Sequence, residues 1–189
     1  VNPTAQVDPI DNQDVCTGED TKLVSFTTQN TFGDTTYTWE MDTDIGAGLS
    51  GSGNILPFQA ENTSNRPIVA TVTVTPTFTD GGISCTGPEE TFEITVNPTP
   101  VITDKEAEIC SGEPFEVEPE NVGGASGNDI VPEGTSYSWT IPNPNPNLNA
   151  TADNGTIITQ TLNNTSNTVQ SITYLVTPTS GDTGNCVGE

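Results

Sequence analysis

Histidine is absent from this chain of 189 residues, and with it goes the commonest general base and metal-ligating side chain. Bases are almost absent as well. Lys22, Arg66 and Lys105 face 26 acids, a formal charge of −23. A surface of that sign repels phosphate backbones and anionic headgroups, which argues against nucleic acid and membranes as partners. Hydrophobic residues are only 31% of the sequence and aromatics 6%, too few for one thick core but enough for two thin ones. No apolar run approaches the roughly 20 residues that span a bilayer. No window keeps a helical period, and tracts rich in Ala, Leu, Glu and Lys are missing. The sequence opens on Val1 without a leader, as expected of a mature segment.

What is abundant is Thr, Asn, Gly, Pro and Val, the residues of strands and turns. They are also arranged twice. Thr35-Thr36-Tyr37-Thr38-Trp39-Glu40-Met41 has a twin in Thr135-Ser136-Tyr137-Ser138-Trp139-Thr140-Ile141, and each copy holds one of the two tryptophans. Both copies alternate apolar with small polar residues, the pattern of a strand with one buried face. Val1-Asn2-Pro3-Thr4 recurs at Val96, Val15-Cys16-Thr17-Gly18-Glu19 as Ile109-Cys110-Ser111-Gly112-Glu113, and Asn62-Thr63-Ser64-Asn65 at Asn164. Val74-Thr75-Pro76-Thr77 recurs at Val176, and Cys85-Thr86-Gly87 as Cys186-Val187-Gly188. An offset that drifts only in loops is the mark of a tandem repeat.

Strands are expected at Leu23–Thr27, the first Trp stretch, Ile55–Ala60, Ile68–Thr77 and Thr91–Val96. In the second repeat they are expected at Phe115–Glu118, the second Trp stretch, Ile157–Leu162 and Thr168–Thr177. Short strands at this spacing between Gly, Asn and Pro clusters predict an all-β chain of two immunoglobulin-like sandwiches, residues 1–98 and 99–189. Pro98-Thr99-Pro100 is a short, stiff linker, so the two are expected to stack end to end. No counterpart of Thr91–Val96 follows Cys186, so the second sandwich is expected to lack its last strand within this chain and to belong to a longer array.

The combination of Ile109-Cys-Ser-Gly, Ile130-Val-Pro-Glu-Gly-Thr-Ser-Tyr-Ser-Trp-Thr, Leu162-Asn-Asn-Thr-Ser, Thr173-Tyr-Leu-Val-Thr-Pro-Thr-Ser-Gly and Cys186 resembles the PKD-like repeats of Bacteroidetes surface proteins. The first repeat matches more loosely, because it has no Val-Pro-x-Gly-Thr before its Trp strand. The resemblance implies a surface-exposed tandem sandwich. Such repeats include those of gliding-motility adhesins exported by the type IX secretion system. It implies no catalytic residues and no cofactor.

Candidate sites are few. Asp42 and Asp44, with Asp80 in a Gly-rich turn, offer oxygen ligands for calcium, although they do not form the Asp-x-Asp-x-Asp-Gly loop. Asp8, Asp11 and Asp14, and then Asp104, Glu106 and Glu108, cluster where each repeat begins and could hold a bridging calcium. Glu89 and Glu90 are adjacent, so on a strand they point to opposite faces and cannot flank one bond as acid and base; no enzyme is expected. Asp34-Thr35-Thr36 resembles an O-glycosylation site, with the glycan on Thr35, and turn chemistry explains it equally. Tyr37 and Tyr137 share a strand face with Trp39 and Trp139, which assigns all four to cores rather than to a sugar-binding platform.

Cysteine is scarce but patterned, with Cys16 and Cys85 in the first repeat and Cys110 and Cys186 in the second. An exported acidic chain meets an oxidising compartment, so all four are expected to be oxidised. Cys16–Cys85 with Cys110–Cys186 would keep each bond inside one repeat. Yet in an immunoglobulin-like order those positions fall at opposite ends of a sandwich, about 17–20 Å apart, against about 4.4–6.8 Å between the Cα atoms of a disulfide. A short linker would instead let Cys16 meet Cys186, leaving Cys85 and Cys110 to bond the preceding and following repeats. Geometry favours this second pairing; both stay open. The function expected is a non-catalytic repeat of an extracellular bacterial surface filament, extending and presenting an adhesin. Its partners would be its own neighbouring repeats and a polysaccharide or other substratum. The rival is a carbohydrate-binding module of a secreted polysaccharide-degrading enzyme, which needs two or three exposed aromatics on one flat face.

Overall fold

In a computed structural model of the chain, residues 1–121, 129–181 and 184–188 are described. They hold eleven strands and no helix. The chain divides into two compact units, Val1–Thr63 with Pro67–Asn97, and Ser64–Arg66 with Pro98–Glu189.

Unit one carries β1 (Gln13–Cys16), β2 (Asp34–Met41), β3 (Ser50–Ser52), β4 (Ile68–Asp80), β5 (Ile83–Thr86) and β6 (Glu90–Asn97). They form one sheet in the order β1-β6-β4-β2-β3, with β5 pairing the far end of β4. β1 runs parallel to β6, and the remaining pairs are antiparallel. β4 is the spine. Its alternation places Ala70, Val72, Val74 and Phe78 inward, all essentially inaccessible to solvent. Pro76 sits where β4 exchanges one partner for another, since the β6 ladder ends at Val74–Glu90 and the β5 ladder begins at Thr77–Thr86. A residue without an N–H is tolerated at such a break. The facing layer is thinner, held by bridges from Val24 to Ile55 and from Asp20 to Gln59. Between the layers lie Trp39, Met41, Phe26, Ile45, Phe92, Ile94 and Val96.

Unit two repeats this plan with fewer parts: β7 (Pro114–Val117), β8 (Ser136–Thr140), β9 (Asp153–Gly155), β10 (Ile158–Thr161) and β11 (Leu175–Thr179). The order β11-β8-β9 matches β4-β2-β3, while β7 and β10 pair as the second layer. Phe115, Tyr137, Trp139 and Ile158 form its core, with Tyr174 and Val176 partly buried against them. β11 has β8 on one edge; on the other, among the described residues, it has only the bridge from Thr179 to Val187.

The sequence reading placed one long strand over Thr168–Thr177, but the observed strand begins at Leu175. The physical reason is the missing neighbour. In unit one the first half of β4 is held by β6, whose Phe92, Ile94 and Val96 cover it. In unit two the equivalent stretch has no such partner among the described residues, and Ile172, Tyr174 and Val176 remain half-buried. Residues 107–110, the counterpart of β1, likewise form no strand and are exposed.

Both indoles are buried, and both indole N–H groups lack a hydrogen-bond partner among the described residues. Trp39→Ala or Trp139→Ala is expected to cost about 3–5 kcal/mol in urea unfolding. Replacement by Phe should cost clearly less, because it also removes a buried unsatisfied donor worth about 1–3 kcal/mol. A second expectation concerns the open edge of β11. A synthetic peptide of the β6 sequence, Glu-Thr-Phe-Glu-Ile-Thr-Val-Asn, should protect the amides of residues 168–174 from hydrogen exchange, and unchanged exchange at saturating peptide would rule this out.

Candidate functional site

The cysteines occupy two kinds of local structure, each present in both units. In the first, Cys16 ends β1 and opens a tight turn in which the Glu19 N–H donates to the Cys16 carbonyl at 3.1 Å. Gly18 takes φ of 88°, the left-handed value that a glycine at the third turn position supplies without strain. The Gly18 N–H donates to Ala60 O (2.8 Å), and the Ala60 N–H donates back to Glu19 O (2.9 Å). At Cys110 the pattern is repeated. Glu113 N–H donates to Cys110 O at 3.1 Å, Gly112 has φ of 91°, and its N–H donates to Leu162 O at 2.8 Å.

The second structure is the short ribbon after the long strand. Cys85 lies on β5 opposite Phe78, next to the pair Thr77–Thr86, and the Gly87 N–H donates to Pro76 O at 3.0 Å. Cys186 stands beside the equivalent pair Thr179–Val187, and the Gly188 N–H donates to Pro178 O at 2.9 Å. A Cβ added to Gly87 would strike the Ala5 carbonyl oxygen, and one added to Gly188 would strike that of Pro100. Each ribbon therefore locks the lead-in segment of its own unit through a contact that only glycine permits.

Cys16 and Cys186 are disulfide-bonded, whereas Cys85 and Cys110 are free. Neither Cys16–Cys85 nor Cys110–Cys186 forms, so the pairing that kept each bond inside one repeat is corrected, and within this chain Cys85 and Cys110 are thiols. In unit one the reason is distance along the sheet. β1 lies on β6 beside the Ile68 end of β4, while Cys85 pairs with Phe78. At about 3.3 Å per residue of strand, those ends are roughly 33 Å apart.

The carboxylates proposed as calcium ligands have other occupations. Asp42 Oδ1 accepts the Thr71 N–H at 2.9 Å, which holds this carboxyl below its ordinary range. Asp44 Oδ1 accepts the N–H groups of Gly46 (3.0 Å) and Gly48 (2.9 Å), closing its own loop. Asp8 accepts Thr27 Oγ1 and Gln29 Nε2, while Asp11, Asp14, Asp104, Glu106 and Glu108 are exposed. Among the described residues no group of three or more acids or cysteines is placed to hold a metal ion. Thr35 lies half-buried in β2 opposite Phe78 rather than at an exposed tip.

Sequence reasoning missed one buried charge pair. Lys105 Nζ lies 2.6 Å from Asp129 Oδ2, with the aspartate side chain 1% exposed, while Oδ1 accepts the Thr103 N–H and hydroxyl, each at 2.8 Å. Burial alone would raise the Asp129 pKa; Lys105 and the two Thr103 donors outweigh it and hold it below 3.8. The available signal was the scarcity of cations, since a lone lysine in so acidic a chain is readily claimed. Tyr37 and Tyr137 lie in the cores as half-buried and buried rings, and burial pushes both phenols up; Asp129 and Glu118 add to the rise at Tyr137. Among the described residues Phe32 is the one fully exposed aromatic, while Tyr37, Phe58 and Tyr174 are half-buried. An open cleft of ≈ 540 Å³ beside Pro9–Val15 and Glu19–Ser25 is lined mainly by polar groups.

Residues 107–189 match the family model of the PKD-like domain. This is less than half of the chain, and no curated protein matches it. A PKD-like domain is typically non-catalytic and, with the immunoglobulin-like architecture and a disulfide, points to an extracellular structural module. Among the described residues no helix is long and apolar enough to cross a membrane.

The ion pair generates a pH expectation. A carboxyl held below 3.8 in the folded state adds stability that is fully present above that value and lost as pH falls through the folded pKa. Lys105→Met should therefore destabilise unit two by about 3 kcal/mol near neutral pH, since it strands a buried charge. The gap between variant and parent, followed by urea unfolding, should close as the solution is taken below 3.8.

Proposed function

We propose that the chain is a non-catalytic load-bearing segment of a long extracellular bacterial filament, and that Cys16 and Cys186 are bonded to each other. The observation that carries this reading is the oxidation of these two cysteines while the other two remain thiols. Within the chain each then has only the other as a partner. A bond between residues 16 and 186 encloses every buried residue of both core clusters except Val15 in one covalent loop. Tension applied at the two ends would cross the sulfur bridge and leave residues 17–185 unloaded. Thin cores, each worth only some 5–15 kcal/mol at most, would be spared mechanical unfolding.

The sequence resemblance would make this filament an adhesin stalk of the Bacteroidetes gliding or attachment type, exported by type IX secretion, and two features support the coarser reading of an extracellular structural segment. The surface carries −23 charges and suits a soluble, self-repelling surface chain. The second repeat matches the PKD-like family, and the first shares its turn and ribbon hydrogen bonds. A sugar-binding module is the less favoured reading, because Phe32 is the one fully exposed aromatic among the described residues.

Force spectroscopy tests the loop. Pulled from its termini under oxidising conditions, the chain should release no length from inside residues 17–185. After reduction it should release roughly 600 Å more, at about 3.5 Å for each residue of the loop. Release of that length without a reductant would overturn the reading.

A further inference from the structure

Cys85 and Cys110 are free, yet each stands in the same local structure as an oxidised cysteine. Cys110 matches Cys16 in its turn bond to the glutamate three residues on, in the left-handed glycine between them, and in the glycine N–H donated to a carbonyl of the segment beside it, Leu162 here and Ala60 there. Cys85 matches Cys186 in the adjoining threonine pair, in the glycine N–H donated to a strand proline, and in the glycine pressed on a lead-in carbonyl. These are four positions of two types, and the bond proposed above joins the turn type of one unit to the ribbon type of the next.

We infer that Cys110 and Cys85 are the two halves of that same bond made between successive copies: Cys110 in unit two of one copy with Cys85 in unit one of the next. The partner is thus a second module of this chain's own kind, joined head to tail. Cys110 is exposed and Cys85 half-exposed, so both sulfurs are within reach of another copy. With oxidised glutathione as the oxidant, one thiolate attacks its disulfide and expels reduced glutathione. The second protein thiolate then attacks the mixed disulfide and expels another. The sum is two protein thiols and one oxidised glutathione giving one protein disulfide and two reduced glutathiones.

The inference rests on the Cys16–Cys186 reading, and its test separates the two. Variants Cys85→Ser and Cys110→Ser each retain one of the two thiols. They are incubated at millimolar concentration in a glutathione buffer, separately and mixed, and run without reduction. The mixture should give a dimer, mapped to a Cys85–Cys110 peptide, in about tenfold excess over the homotypic dimers of either variant alone, the ratio expected from about 1.4 kcal/mol of preferential docking. The parent chain, with both thiols, should extend into a ladder carrying the same peptide. A mixture that dimerises no better than its components, or thiols that end only as glutathione adducts, would overturn the inference. The Cys16–Cys186 peptide is read in the same digests, so loss of that bond is told apart from loss of the bond between copies.

Discussion

A strand that turns every second side chain inward needs cover from the opposite layer and from a neighbour on each edge, and this requirement governs both units. Along β4 it is fully met: Ala70, Val72 and Val74 are inaccessible because β2 and β6 flank them while Val24, Phe26 and Ile55 close the other side. Along the matching stretch of unit two one neighbour is missing among the described residues, and three departures follow. The backbone of 168–174 is not a strand, the counterpart of β1 is bare, and the Asn164 amide donates to nearby Thr168 O. Its twin Asn62 is buried and donates to Val96 O, on β6. One absent ladder thus accounts for differences spread over much of the unit.

The parts of this architecture legible in the sequence are those set by strict alternation. The Trp strands, the core of β4 and the strand β6 show period-two apolar positions that no helix or loop would keep. Other parts were hidden for physical reasons. β1 has a single buried residue, Val15, and pairs in parallel with a strand some 80 positions away, so nothing local signals it. β3 and β9 contain Gly, Ser, Asn and Asp and exist because a neighbouring strand offers them hydrogen bonds. β5 reads as the turn before β6, yet it is a strand because β4 runs on past Pro76 to meet it. The ion pair at Asp129 escaped notice because its residues are 24 apart with no pattern between them.

Chemistry in this chain is correspondingly spare. Without histidine the chain lacks the side chain that ordinarily changes charge near neutral pH, and one of its three cations is committed to Asp129. The acids of the loops are largely occupied by backbone donors, as at Asp42 and Asp44, or lie dispersed over the surface. What varies instead is the oxidation state of sulfur, which places the informative chemistry in covalent connection.

The glycine contacts at Ala5 and Pro100 have a consequence for how such a module can change in length. From Cys16 to Trp39 is 23 residues and from Cys110 to Trp139 is 29, yet in both units the ribbon glycine meets the same lead-in carbonyl. Six residues have been absorbed between turn and tryptophan without moving that meeting point, whereas not even a methyl group fits at the glycine itself. A difference in length is therefore accommodated between turn and tryptophan, while the glycine contact holds the two ends of each module in register.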